Sequence, residues 1–411
     1  MRDKDLYAQI LGISSPWQVT DVELALDRNR ITVHIDIETG TQLTCPHCDK
    51  PVPGYDKRRR EWRHLDTCQY HTILSAHVPR VNCPVHHVSM VNVPWSEPGS
   101  GFTALFEALV IDWLKETTTS AVSRQLGLSW NAIDGIMQRA VNRGLARRDN
   151  GIPYKRLGVD ETSFRKGHNY IGVVADQDSG HVIHVANDRK KESLVAFFDG
   201  LSDEQRNAIE CISMDMWQGF IGATQQCIPG ANQKIAFDKF HVAQYLGKAV
   251  DKVRRQEHKT FLNVGNNALK GSKYRWLTNP DNMSRTQWAE FKTLWQASVK
   301  TARAWSIKEL AMSLWHYSSR AWAAKAWKRW YSWAIRSRLE PIKRVAQLIK
   351  KHLWGIINAI VLKANNGHAE STNSKIKMIK VRSRGFRCKE RFKAAIYFHL
   401  GGLDLYPEGV K

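Results

Sequence analysis

Acid is what this 411-residue chain has too little of: 39 Asp and Glu stand against 61 Lys and Arg, a formal net charge of +22. So large an excess repels itself unless a polyanion neutralises it, which points to a nucleic acid partner. Long apolar runs are also missing. No uninterrupted apolar span approaches twenty residues, and the opening MRDKDLYAQILGISSPW lacks the core of a signal peptide. Membrane insertion and export are therefore disfavoured, and the expected place is the cytoplasm, on nucleoid DNA. Cysteine is scarce and odd in number, seven in all. That excludes a disulfide-built scaffold, and one Cys-x-x-Cys pair favours metal in a reducing compartment. Without internal repeats, low-complexity tracts or long linkers, the length divides into several folded domains.

Residues 1–40 read as a lead-in helix and then a half-buried hairpin, VELALDRNRITVHIDI, by its apolar alternation. Residues 41–98 hold the cysteines and histidines that read as a zinc-binding module. CPHC supplies Cys45 and Cys48 on one tight turn, and CPVHH supplies Cys83 with His86 or His87 on another. Two such knuckles can set four ligands tetrahedrally around one Zn²⁺. The expected set is Cys45, Cys48, Cys83 and His86, with His87, His47 and Cys68 as substitutes. Four protein ligands leave no position for water, so the zinc is structural.

Residues 99–150 turn helical. TTTSAVSRQLGLSWNAIDGIMQRAVNRGLARR has two helical periods broken at Gly127-Leu128-Ser129, with Ser129 placed to cap the second. Ala121, Val122, Leu126, Ile133, Ile136 and Val141 would pack the two together as a helix-turn-helix. Arg124, Gln125, Asn131, Gln138 and Arg139 are its candidate DNA contacts.

Residues 151–240 alternate short β-branched runs with turns and helices. One strand ends in Asp160-Glu161; a hairpin, a helix and the strand IECISMD, ending in Asp215, follow. That order is the one expected of an RNase H-like domain, where strand-end carboxylates converge at one sheet edge and offer Mg²⁺ hard oxygen ligands. Asp160 and Glu161 point to opposite faces of a continuing strand, and Asp160, directly closing the apolar run, is the one expected to lead. Farther on, FDKFHVAQ places Asp238 and His241 at the start of a helix, His241 being a candidate accessory residue.

GVDETSFRKGHNYIGVVADQDSG, SMDMWQGF, FDKFHVAQ and NNGHAESTNSKIKMIKVRSRGF, in this order and after a Cys-rich knuckle and a helix-turn-helix, resemble the transposases of the ISL-three insertion-sequence family. The resemblance runs from PWQVTDVEL to FHLGGL. It implies a DDE-type catalytic domain whose first Asp matches Asp160, second Asp Asp215, and Glu Glu370. The three would hold two Mg²⁺, for which Mn²⁺ can substitute. The family's fourth zinc ligand is commonly Cys; here His86 stands in that place.

Asp160 and Asp215 lie 55 positions apart, and Glu370 follows 155 later. A bare RNase H-like domain needs far fewer residues before its last helix. Residues 241–357, basic and carrying ten of the sixteen tryptophans, are read as an all-helical insertion, and 358–411 as the last part of the catalytic domain with the Glu370 helix and a basic tail. Spacings such as Trp322, Trp327, Trp330 and Trp333 suit a helix-helix core, with stacking on a flipped base beside Arg329 and Arg336 as the minority use. Lys375, Lys377, Lys380, Arg382, Arg384 and Arg387 would grip phosphates, while Glu370, Asn373 and Lys377 share one helix face; Asn366 and Asn373 are candidates to share the metal.

The chain is thus expected to be a multi-domain α/β protein: a zinc-binding module and a helix-turn-helix, then an RNase H-like catalytic domain interrupted by a helical insertion. It would bind terminal inverted repeats and target double-stranded DNA as a homodimer or larger assembly, cleaving and joining strands. Its rivals are a non-catalytic DNA-binding regulator and a structure-specific nuclease of the same fold.

Overall fold

Alternating apolar residues build the first sheet. In the computed structural model, which describes residues 3–165, 169–364 and 367–410, with 367–370 as backbone only, the chain divides into two units. One comprises Met1–Arg148, Arg382–His399 and Leu403–Lys411; the other comprises Asp149–Val381 and Leu400–Gly402.

In the first unit, α1 (Asp3–Ile10) precedes β1 (Trp17–Ala25), β2 (Arg30–Ile37), β3 (Gly54–Arg63), β4 (His71–Cys83) and β5 (His87–Met90). The strands form one five-stranded sheet, ordered β1-β2-β4-β3, with β5 paired to β4. Thus the hairpin of residues 1–40 is no separate lead-in: β2 runs parallel to β4 and shares the sheet that carries the cysteines. Val33, Leu74 and Val78 are fully buried, and Trp95 meets Trp17 and Trp62 edge-on at 5.0 and 5.5 Å.

Three helices follow, α2 (Ala104–Glu116), α3 (Thr119–Leu126) and α4 (Trp130–Arg147). Thr103, Thr118 and Ser129 each accept a hydrogen bond from a first-turn backbone N–H, capping the three in turn. Gly127, at φ +64°, closes α3 in the left-handed region where a side chain is disfavoured, which makes the sharp turn into α4 possible. Val122, Ile133, Ile136 and Val141 are buried, as the helical period requires.

The second unit opens with β6 (Arg156–Arg165), β7 (Asn169–Asp176) and β8 (Val182–Val185), then α5 (Lys191–Asp199), α6 (Asp203–Ala208), β9 (Cys211–Met214), α7 (Gln218–Cys227), α8 (Ala231–Lys234) and β10 (Ile235–Phe237). The strand order is β10-β9-β6-β7-β8. β6, β7 and β8 pair antiparallel, whereas β9 and β10 run parallel to β6. Asp176 accepts hydrogen bonds from the Asp178 and Ser179 backbones and fixes the β7–β8 turn.

Helices then continue as α9 (Lys239–Leu262), α10 (Lys273–Leu277), α11 (Arg285–Ala297), α12 (Val299–Ser313), α13 (Arg320–Arg336), α14 (Glu340–Lys351), α15 (Leu353–Val361) and α16 (Gly367–Arg382). One core joins α9 through α15 to the sheet, from Val159 and Phe237 to Trp276, Trp327 and Trp330. Buried Glu257 on α9 accepts the Lys300 and Thr301 backbone N–H groups and so caps α12. α15 packs directly on β10, because a Cβ added at Gly355 would come within 2.4 Å of the Phe237 ring. The tryptophan stripe on α13 divides: Trp327 and Trp330 are core, while Trp322 and Trp333 are exposed.

Segment 358–411 does not stay whole. α17 (Lys389–Leu400) and the chain after it mostly join the first unit. The reason is a packing face: Phe392, Ala395, Ile396 and Phe398 are buried, Arg391 pairs with Asp134 of α4 at 3.0 Å, and the Tyr406 hydroxyl donates to Asp112 of α2.

Candidate active site and metal centre

Parallel pairing of β6, β9 and β10 fixes where the carboxylates go. Asp160 stands on β6; Asp215 and Asp238 are the residues immediately after β9 and β10, at the same end of the sheet. Asp160, Asp215, Asp238, His241 and Asn373 line one cleft of about 580 Å³. Asp160 Oδ1 accepts the Glu161 backbone N–H at 2.7 Å, and Oδ2 accepts from the Asn373 side chain. Burial, reinforced by neighbouring Asp238, raises the Asp160 carboxyl above its ordinary value despite those hydrogen bonds. Asp215 accepts the Met216 backbone N–H at 2.6 Å. Asp238 is buried and caps α9 by accepting the Phe240 N–H. Between these two carboxylates stands His241, with Nδ1 3.7 Å from Asp215 Oδ2 and Nε2 3.7 Å from Asp238 Oδ2.

Glu161 also reaches the cleft, but Arg189 holds it at 2.9 Å, and that guanidinium lies over both the Tyr170 and Trp217 rings. Nothing in the sequence spacing of these four residues announced this cluster. It leaves Asp160 as the less committed of the adjacent pair. Glu370 lies on α16 one turn before Asn373, and its side chain, like Asn366, falls outside the described residues. Asn373, one of the two asparagines considered as helpers, is the residue brought to Asp160. Asp160, Asp215 and Asp238 bring to this cleft the hard oxygen atoms that a divalent cation takes, but among the described residues only the cysteine and histidine cluster below gathers three or more ligand atoms within 4.8 Å of one another.

The second centre is built by two loops of the first unit. Cys45 and Cys48 stand between β2 and β3, and Cys83 and His86 flank the β4–β5 turn. Their ligand atoms all lie within 4.8 Å of one another. His86 Nδ1 is 3.6 Å from both Cys45 Sγ and Cys83 Sγ, and the Cys48 and Cys83 sulfurs are 4.0 Å apart. Those spacings fit the edges of about 3.5–3.8 Å that Zn–S and Zn–N bond lengths imply for a tetrahedral site. The His86 and Val85 backbone N–H groups bring the Cys83 thiol down to about 6, toward the thiolate that binds metal. His87 stands outside this cluster: it pairs with Cys83 as the first residue of β5 and is exposed. The His47 ring lies 5.2 Å from that of His86, tilted by 44°, and Cys68 is exposed elsewhere.

Comparison with known families agrees with this layout. A zinc-finger model of transposases IS204/IS1001/IS1096/IS1165 matches residues 42–86, and a helix-turn-helix model of the transposase family ISL3 matches residues 91–141. The ISL3 model of the DDE domain, described as transposase, matches residues 157–396, more than half of the chain. The chain belongs to the ISL3 transposase family. Relatives include the transposase for insertion sequence element IS1557 of Mycobacterium tuberculosis, 29% identical over 98% of this chain and 96% of the relative. Another is the transposase for IS1001 of Bordetella parapertussis, 28% identical over 95% and 97%. An ISL3 member is a DNA transposase, an enzyme of DNA cleavage and strand transfer, and this one carries a zinc ribbon and a DNA-binding helix-turn-helix.

On the ISL3 helix-turn-helix, Arg124, Gln125 and Asn131 are exposed and Gln138 is half-buried. Arg139 is not available in the same way. It pairs with Glu107 of α2, a carboxylate only 2% exposed that also takes Arg143 at 3.4 Å. Exposed Trp130, at the first position of α4, is a surface residue that the expected contacts leave out. In the basic run, Lys375, Lys377, Arg382, Arg384 and Arg387 are exposed, whereas Lys380 donates to the Ser163 carbonyl and ties α16 to β6. Lys380 therefore positions a helix. Among the described residues no helix is long and apolar enough to cross a membrane.

Proposed function

We infer that this transposase binds the terminal inverted repeats of an insertion sequence and cuts and joins DNA at Asp160, Asp215 and Glu370. The observation that carries the reading is the cleft where Asp160, Asp215, Asp238 and His241 meet at one sheet edge. The strand order supports an RNase H-like core, with three antiparallel strands followed by two parallel to the first; the helices between β10 and α16 then form an insertion within it. Two Mg²⁺ bound there would supply an activated water and a counter-charge for the leaving oxygen.

The chain's own residues do the positioning. Asn373 and the Glu161 N–H hold the Asp160 carboxylate in one orientation, and His241 bridges Asp215 and Asp238 and steadies both. Cys45, Cys48, Cys83 and His86 would hold one Zn²⁺ and keep the first unit folded. Exposed residues of α3 and α4, with Lys375 and Lys377 of α16, supply phosphate contacts, which position DNA without performing chemistry. Two ends brought together call for a dimer or larger assembly, acting on chromosomal DNA in the cytoplasm.

A labelled element-end fragment, a target plasmid and Mg²⁺ test this against its rivals. Joined product is expected. Binding without cutting would fit a regulator, and cutting without joining a nuclease.

A further inference from the structure

α9 serves two cavities. Asp238 caps it, and His241 and Tyr245, three and seven positions later, face the catalytic cleft. Phe240, Gln244, Lys248 and Asp251 follow a second period and face a groove of about 660 Å³, walled on its other side by α10 and α12. Among the described residues Phe240 alone lines both. It is 47% exposed, and its backbone N–H donates to Asp238 at the capped start of α9.

The groove is also charged for one kind of occupant. Among the described residues Lys239, Lys248 and Lys273 on its walls form no ion pair. Two of its three acids are already neutralised: Asp251 by Arg254 and Arg255, and Glu309 by Lys308, leaving Asp281. A cavity of about 660 Å³ cannot enclose a duplex, which would meet only its rim. A basic channel with an aromatic platform at its mouth is the arrangement that binds unpaired strands without sequence preference.

We propose that the groove between α9 and α10–α12 holds an unpaired DNA strand leading out of the catalytic cleft, with Phe240 stacking on a base at the threshold and Lys239, Lys248 and Lys273 meeting phosphates. This rests on the DNA-cutting assignment of the adjoining cleft. It gives that cleft a path for a strand separated near the cut.

The probe is fluorescein-labelled (dT)15, measured by anisotropy on the full chain across a salt series. Phe240→Ala weakens binding about tenfold and Phe240→Trp restores it, as base–ring stacking predicts. Lys248→Ala combined with Lys273→Ala lowers the salt slope by about 1.4, two phosphates at roughly 0.7 each. In the unaltered chain, 5-iodouridine placed within the oligonucleotide crosslinks to the start of α9. Unchanged affinity and slope in folded variants, or crosslinks confined to residues 1–148, would overturn the proposal. Asp215→Asn separates the two readings: it keeps (dT)15 affinity, and if it still cut DNA the catalytic assignment would fail while the groove result stood.

Discussion

Asp160 carries a charge that its surroundings resist. Burial and nearby Asp238 raise its pKa, so the folded chain holds that proton more tightly than the unfolded one does. The contribution to stability is fully present below the unfolded value, near 3.8, and is lost as pH rises through the folded one. Without divalent metal, Asp160→Asn should therefore melt higher than the parent at neutral pH, with the gap closing in acid; thermal melts in EDTA across pH measure it. His64 behaves oppositely. Buried and hydrogen-bonded to Thr103 at 2.9 Å, its pKa is pushed down to about 4, chiefly by burial. Unfolding takes up a proton between about pH 6.5 and 4, so stability falls as pH drops through that window, by about 3 kcal/mol in all. The difference between parent and His64→Gln melts should shift accordingly. The meeting of Asp160 with Asp215, and of Cys45, Cys48, Cys83 and His86, was legible because each residue ends an apolar run or sits in a knuckle. The Glu161–Arg189 pair was not, since it depends on which side chains a sheet edge and a loop bring together.

Helices α2 and α4 show why a polar residue on a helix does not declare its use. Arg139 and Arg124 look alike in sequence, but only Arg139 meets a buried carboxylate. Arg139→Ala should cost about 2 kcal/mol of stability, discounted because Arg139 is itself partly exposed. Arg124→Ala should change stability by under about 0.5 kcal/mol and weaken duplex binding roughly tenfold. Urea melts and anisotropy with a duplex oligonucleotide separate the two. Caps and periods foretold the helix pair down to Ser129 and Gly127, because those signals are local. Tryptophan spacing foretold a core on α13 but not its edge: position along a helix fixes the face, and only the partner helices decide how wide the buried stripe is.

Sequence order misleads most about the two units. α17 follows the catalytic segment in the chain yet packs with the first unit, because its apolar residues and Arg391 match surfaces of α2 and α4 that carry no such mark in the sequence. The joint sheet of β1 to β5 likewise merges the hairpin with the cysteine module, since parallel pairing of β2 with β4 is a long-range choice. If zinc holds the first unit, a chelator should unfold that unit while the second, whose core contains none of the four ligands, keeps its own transition; two separated calorimetric transitions in the chelated protein check this. The most direct test of the catalytic account is strand cleavage by Asp160→Asn, Asp215→Asn and Glu370→Gln on an element-end duplex in Mg²⁺, beside end binding by the same proteins. Each variant should bind the end with nearly parental affinity and cut it at least about 10³-fold more slowly; nicking at the parental rate by any of them would contradict the assignment.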